Sequence, residues 1–509
     1  MSSNTKRIAK NTLLLYFRQI LIILISLYTV RVKLNVLGFE DFGIYNIVAG
    51  FVLLFTFINS AMTNATQRFL NFSMGENNND NVRDVFSISI MIHILIAIVF
   101  IILAETLGLY FIKNYLNIPY ERYDAAIIVY QLTIIITAVN IIKVPYDAII
   151  IAYEKMSFFA FLSIIESIFN LIIVILLSFI LYDKLILYAF LFLLAGFLIF
   201  FINKIYCNKM FKTSHFIFSK DKSLFRQIAE FSGWNVFGQF AVVCQTQGGN
   251  ILLNIFHGVI VNAAMGIAAQ TRGVIYRFIS NFQTAFKPQL VKSYAAKDYE
   301  YFTKLIFQTS KISYFLLFIL ALPICINLEY LFLIWLKNIP EYSVIFSRLM
   351  FINSLSIALS GPLLCSIFAI GIIKNYQIIS SIILLINLPI SFLLLFFGFN
   401  PVWILIIRII LDVFLFIYQI FYLKRQFNFS LLNYIKEVIF PIIIITSIIL
   451  FFNILIYIYY INFLRLILSC AITLISSIIL GYFIVLNTQE KLYIKDIIIK
   501  YLSKKNVSK

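Results

Sequence analysis

Arg18, Arg272, Arg277, Glu166 and Asp412 each stand inside a long apolar run. Where such a run crosses a membrane, a central charge costs about 2.5–3.5 kcal/mol even on the lenient insertion scale, so each needs a function or a partner. Arg272 lies near the middle of its run, and Gln270, Arg277, Asn281 and Thr284 recur at spacings of seven, four and three, on one helical face. Asn235, Gln239, Thr246, Asn250 and Asn254 form a second polar stripe, bent at Gly248-Gly249, and Asn59, Thr63 and Gln67 a third. Two readings stand for these stripes: the lining of a cavity, or hydrogen bonding between packed helices. Glu166, with Asn170 four residues on, suits a proton or a sodium ion, or a protonated carboxyl bonded to a neighbouring helix. Asp412 follows Arg408 by one turn, the spacing of an internal ion pair, and is the second candidate for ion coupling. Guanidinium groups outnumber the acids at this depth. They stay charged in a low dielectric and bind phosphate or pyrophosphate bidentately, which points to an anionic, phosphorylated ligand.

The elements that carry these residues follow from composition. The 509 residues are 62% hydrophobic and 12% charged, against roughly half and a quarter in soluble domains. The net charge of +18 would suggest nucleic acid in a soluble protein. Here the lysines sit in short gaps between apolar runs, and the membrane accounts for them. The five cysteines are scattered and the three histidines lie far apart, with no HExxH cluster, so neither a disulfide framework nor a metal site is expected. No cofactor is implied. No GxxxxGK[ST] occurs, which argues against a fused ATPase.

About 20 apolar residues suffice to span the hydrocarbon core. Runs of that kind fall near 11–32, 44–67, 85–111, 124–150, 157–181, 184–206, 228–254, 259–286, 308–336, 344–371, 375–397, 401–423, 438–460 and 464–486. The fold class is therefore all-α and polytopic, with about 14 transmembrane helices. Most lysines and arginines fall in gaps on one side, among them Lys143 and Lys155. Only Lys33, Lys113, Arg122, Lys184, Lys337 and Arg465 fall in gaps on the other. The positive-inside rule then puts both termini in the cytoplasm. The basic gap after 206 divides the chain into 1–206 and 207–425, each with six spans, followed by a helix pair and basic tail over 426–509. Repeated halves are a transporter signature, with the substrate site between them.

The stretch Leu37-Gly38-Phe39-Glu40-Asp41-Phe42-Gly43-Ile44-Tyr45-Asn46, followed by Thr66-Gln67-Arg68-Phe69-Leu70, resembles the first loop and second span of polysaccharide-unit flippases. These belong to the multidrug/oligosaccharidyl-lipid/polysaccharide exporter superfamily. The resemblance is strong over roughly the first 75 residues. It implies a two-lobed, MATE-like carrier acting as a single chain by alternating access. Such a carrier moves an undecaprenyl-pyrophosphate-linked oligosaccharide across the bacterial inner membrane for O-antigen (lipopolysaccharide) or capsule. Family members hold the headgroup in an arginine-containing cavity. Arg18, Arg272 and Arg277 fit that role by position, with Gln270, Asn281, Asn235, Gln239 and Asn250 around them. Fourteen spans favour this branch over the twelve-span multidrug branch. A cation-coupled multidrug exporter is the alternative, and a polytopic polymerase or transferase a more distant one.

Overall fold

A computed structural model of the chain describes residues 3–53, 56–76, 79–110, 112, 119–180, 182–219, 221–336, 339–427 and 429–481. The basic tail from 482 and the loop residues Lys113, Lys220 and Lys337 lie outside the described residues.

The helices are α1 Ser3–Leu53, α2 Thr56–Gly75, α3 Asn79–Leu103, α4 Tyr123–Ala152, α5 Met156–Leu176, α6 Lys184–Met210 and α7 Lys222–Ala295. They continue with α8 Tyr299–Ile326, α9 Leu328–Leu336, α10 Ser343–Ile370, α11 Lys374–Phe396, α12 Trp403–Gln426, α13 Phe440–Tyr459 and α14 Asn462–Leu480. No strand occurs among the described residues. Without water to satisfy the backbone, helices are what apolar runs of this length must form in a membrane. Among the described residues ten helical segments are long and apolar enough to cross one, which is compatible with the fourteen expected spans. The protein is a multi-pass membrane protein.

Two of the helices are really pairs. α1 breaks at Gly38 (φ 77°, ψ 171°) and α7 at Gly258 (φ 76°, ψ −171°). Both glycines occupy a backbone region open essentially to glycine alone. Each break divides one apparent helix into two arms.

The described contacts form two compact units. The first comprises 11–240 with 294–297; the second comprises 241–293 and 298–509 with 1–10. In the first, α4 packs against α2, α3 and α6 around a core of Phe100, Ala126, Tyr130 and Leu185. In the second, α10 packs between α8 and α12, α11 lies on α12, and α14 lies on α8 and α13. The final helix pair is tied down by side-chain bonds. Arg465 Nε donates to Asn327 Oδ1 at 2.9 Å, and Asn327 Nδ2 to Ser469 Oγ at 2.9 Å. Asn453 Nδ2 donates to Thr473 Oγ1 at 3.0 Å. On the far side of α13 and α14, Phe440, Phe451, Ile458 and Phe463 are exposed, as a lipid-facing surface requires.

Candidate functional site

In the first unit, three helices bring a cation and two carboxylates together. Lys143 Nζ on α4 lies 3.7 Å from Asp147 Oδ2, one turn on, and 4.0 Å from Glu166 Oε2 on α5. Asn203 of α6 donates Nδ2 to Asp147 Oδ1 at 2.5 Å. Asp147 thus has a partner on each oxygen, while the Glu166 side chain is half exposed. Glu166 opens onto a cavity of about 20 Å³, lined also by Asn140, Asn170, Phe169 and Phe192. That is room for one water molecule or one small ion. Glu166 and Asn170, one turn apart, thus line the same cavity. Lys143, however, is not a loop cation: α4 continues to Ala152, and the ammonium is held inside the bundle. The signal that identifies it is the acid four residues on.

A second group lies in the second unit, between α7, α10 and α12. Arg272 Nε donates to Ser354 Oγ at 2.8 Å, and its guanidinium lies 5.2 Å from the centre of the Tyr276 ring. Asn353, beside Ser354 on α10, donates Nδ2 to Asp412 Oδ2 at 2.5 Å. The expected Arg408–Asp412 ion pair does not close. The i,i+4 spacing puts both groups on one face of α12, but the amide of Asn353 reaches the carboxylate from the facing helix. Arg408 Nε is left enclosed without a hydrogen-bond partner. Arg272, Arg408 and Asp412 still act on one another through space. Two guanidinium groups thus share the field of one carboxylate.

The remaining candidates divide by exposure. Arg277 and Gln270 are exposed on the second arm of α7, whereas Asn281, one turn past Arg277, is buried. Thr284 turns its hydroxyl back to the Ser280 carbonyl. The stripe is therefore exposed at Gln270 and Arg277, buried at Asn281 and partly exposed at Thr284. Asn235 is fully buried and Gln239 half-buried, both in the first unit. Asn250, in the second, bonds Gln247 within its own helix at 3.3 Å. The side chains of Asn59 and Asn254 lie outside the described residues. Arg18 in the first unit is half-buried, its guanidinium 5.1 Å from the centre of the Phe159 ring.

Two cations counted as loop charges prove to be structural. Lys33 is buried against the rings of Tyr45 and Tyr188, at 3.8 and 4.1 Å. Arg122 grips two acids at once. Its Nε and Nη2 donate to Asp41 at 2.8 and 2.6 Å, and its Nη1 donates to Asp183 at 2.6 Å. Asp183 also caps α6 by accepting from Leu185 N and Ile186 N. Burial acts to raise the Asp183 carboxyl, but the bonds from Arg122 and from these backbone N–H groups outweigh it and hold it below its ordinary value. Asp41 belongs to the Leu37–Asn46 stretch, so that motif supplies both the glycine that turns the chain and the acid that pins the turn.

Residues 8–294, more than half of the chain, match the family model for polysaccharide biosynthesis proteins. No curated protein sequence matches the chain. Among solved structures it is similar to an outward-facing multidrug-resistance MATE family transporter of the MOP superfamily, with TM-score 0.71 and 12% identity. That likeness covers 84% of this chain and 99% of the other. A MATE in its straight conformation gives TM-score 0.71 at 13% identity, over 83% and 96% of the two chains. A MOP superfamily transporter from Pyrococcus furiosus, described by a binding pocket of reverse polarity, gives 0.68 at 12% identity, over 84% and 99%. These likenesses establish a MATE-like fold.

Proposed function

The chain belongs to the polysaccharide biosynthesis protein family, and on that footing we propose that it is a flippase for a lipid-linked oligosaccharide. The substrate is an undecaprenyl-pyrophosphate-linked repeat unit, moved from the inner to the outer leaflet of a bacterial inner membrane by alternating access. The product feeds a surface polysaccharide such as O-antigen or capsule. The observation that carries this reading is the sign of the charge at membrane depth in the second unit. Arg272 and Arg408 share the field of a single carboxylate, Asp412, and Arg277 lies further along the same helix as Arg272. Arg277 is exposed, and a guanidinium so placed suits an incoming pyrophosphate. In this reading the glycan enters a cleft open to the cytoplasm, arginines hold the pyrophosphate, and the lipid tail stays in the bilayer.

The test is the sidedness of labelled repeat units in cells lacking the protein. Trapping on the inner leaflet, with surface polysaccharide lost, supports flipping. The variant Arg277→Ala is expected to abolish export at normal protein level, and full export by that variant removes Arg277 from the site.

One observation favours a second reading, ion-coupled exchange of a drug-like substrate. Glu166 borders a cavity of single-ion size between two asparagines. Normal outward delivery of repeat units in the deletion strain, with no second flippase present, would favour it. Under either reading Glu166 and Asp412 are the candidates for H+ or Na+ coupling, and substitution to Gln and Asn respectively is the way to separate them.

A further inference from the structure

A cavity of about 340 Å³ opens at the end of the second unit where α11 begins and α12 ends. Asn375, Ile379, Tyr418, Phe421, Arg425 and Gln426 line it, so the lining carries one cation and no acid. Its aromatic wall is braced from behind. Tyr418 stacks on Tyr376 with ring centres 5.9 Å apart and planes 7° off parallel. Gln419 Nε2 donates to Tyr376 Oη at 2.9 Å, and Tyr422 Oη donates to the Ile372 carbonyl. Arg425 itself is exposed at the mouth, with exposed Lys374 and Lys424 beside the lining residues. From this polar end an exposed apolar strip runs back along both helices: Ile379, Ile382 and Ile386 on α11, and Phe421, Ile417 and Phe414 on α12. The spacings of three and four keep each row on one helical face.

We propose that this cavity binds the headgroup of an anionic glycerophospholipid, with its phosphate on Arg425 and an acyl chain along the apolar strip. Three features select that ligand. The cation at the mouth suits a phosphate. Tyrosines at a helix end mark the headgroup level of a bilayer. The polar pocket continues directly into a lipid-facing apolar surface, so the ligand must be amphiphilic. The volume holds one compact headgroup and is too small for an oligosaccharide of several sugars. Lys374, Lys424 and Arg425 share the end that the positive-inside pattern assigns to the cytoplasm, so the lipid comes from that leaflet. The site does not depend on what the protein transports.

The experiment uses the purified full-length chain in neutral phosphatidylcholine nanodiscs doped with phosphatidylglycerol. Bound lipid is counted by native mass spectrometry and the thermal midpoint is followed in parallel. The expected result is one phosphatidylglycerol retained in preference to phosphatidylcholine, with a higher midpoint. Arg425→Ala should weaken that retention about tenfold while leaving phosphatidylcholine adducts unchanged. Should that variant fail to fold, Tyr418→Ala in the cavity wall is expected to reduce retention in the same direction. Equal retention of the two lipids by the wild type overturns the proposal, as does unchanged retention in both variants. An equal midpoint shift with inorganic phosphate in undoped nanodiscs would make it a free-anion site. Displacement of phosphatidylglycerol by equimolar undecaprenyl pyrophosphate would make it a substrate site; each of these results overturns the phospholipid assignment.

Discussion

In the first unit α1 breaks at Gly38 with φ 77° and ψ 171°, and in the second α7 breaks at Gly258 with φ 76° and ψ −171°. Beyond that shared corner the two regions differ. The first pins its corner with ions: Asp41, three residues past the glycine, is gripped by Arg122, which also holds Asp183. The second has Val261 three residues past its glycine, buried with Phe346, Ile404 and Leu405, and Tyr342 and Val402 pack against them. Beside them Tyr342 makes side-chain hydrogen bonds with Glu341 and Asn400. The corner is thus a backbone requirement, met by the same residue in both units. How it is held is a separate matter, open to ionic or apolar solutions. An ionic clamp responds to pH and to loss of one partner; an apolar one responds to lost volume.

The clamp should give the largest single effect. Arg122→Ala leaves two partly buried carboxylates facing each other and is expected to cost about 3 kcal/mol, read as a lowered denaturation midpoint in detergent. A neutral result would erase the contrast between the units. The glycines come next. Gly38→Ala and Gly258→Ala are each expected to cost about 1–3 kcal/mol by the same measurement, since an added Cβ meets open space in both and only backbone strain remains. A clear inequality would show that the two corners are not equivalent. The smallest effect is the pH dependence of the clamp. The folded carboxyl of Asp183 is held below its unfolded value, so its stabilisation is complete above about pH 4 and fades as pH falls through the depressed value. Asp183→Asn keeps the helix cap and should lower stability by about 1 kcal/mol from pH 7 to pH 5. The gap to wild type should close on further acidification, and a gap that widened instead would contradict the assignment.

Much of the fold was legible in the sequence, because run length and hydropathy alone decide which segments can cross a bilayer. The site was legible in part. Glu166 and Asn170 were found because one turn of a helix relates them. Lys143 carried the same local signal through Asp147 but was counted as a loop charge. Asn203, 56 residues from Asp147, carried none. The Arg408–Asp412 spacing misled for the converse reason: a local pattern states which groups share a face, while the partner came from a facing helix, where Asn353 lies 59 residues away. Arg122 was invisible as a clamp because its two acids are 81 and 61 residues distant. Contacts set by packing cannot be read from spacing.

Those separations along the chain also set an order in time. Asp41 leaves the ribosome well before Arg122, and Arg122 well before Asp183. At roughly 5–20 residues per second, the first acid waits about 7–28 seconds before its clamp can be completed. Three further spans must enter the membrane before Asp183 completes the tie at the Gly38 corner. The clamp therefore reaches its final form only when synthesis has begun α6; until Arg122 is made the glycine backbone alone keeps the turn, and from then until Asp183 appears the Arg122–Asp41 pair shares that task.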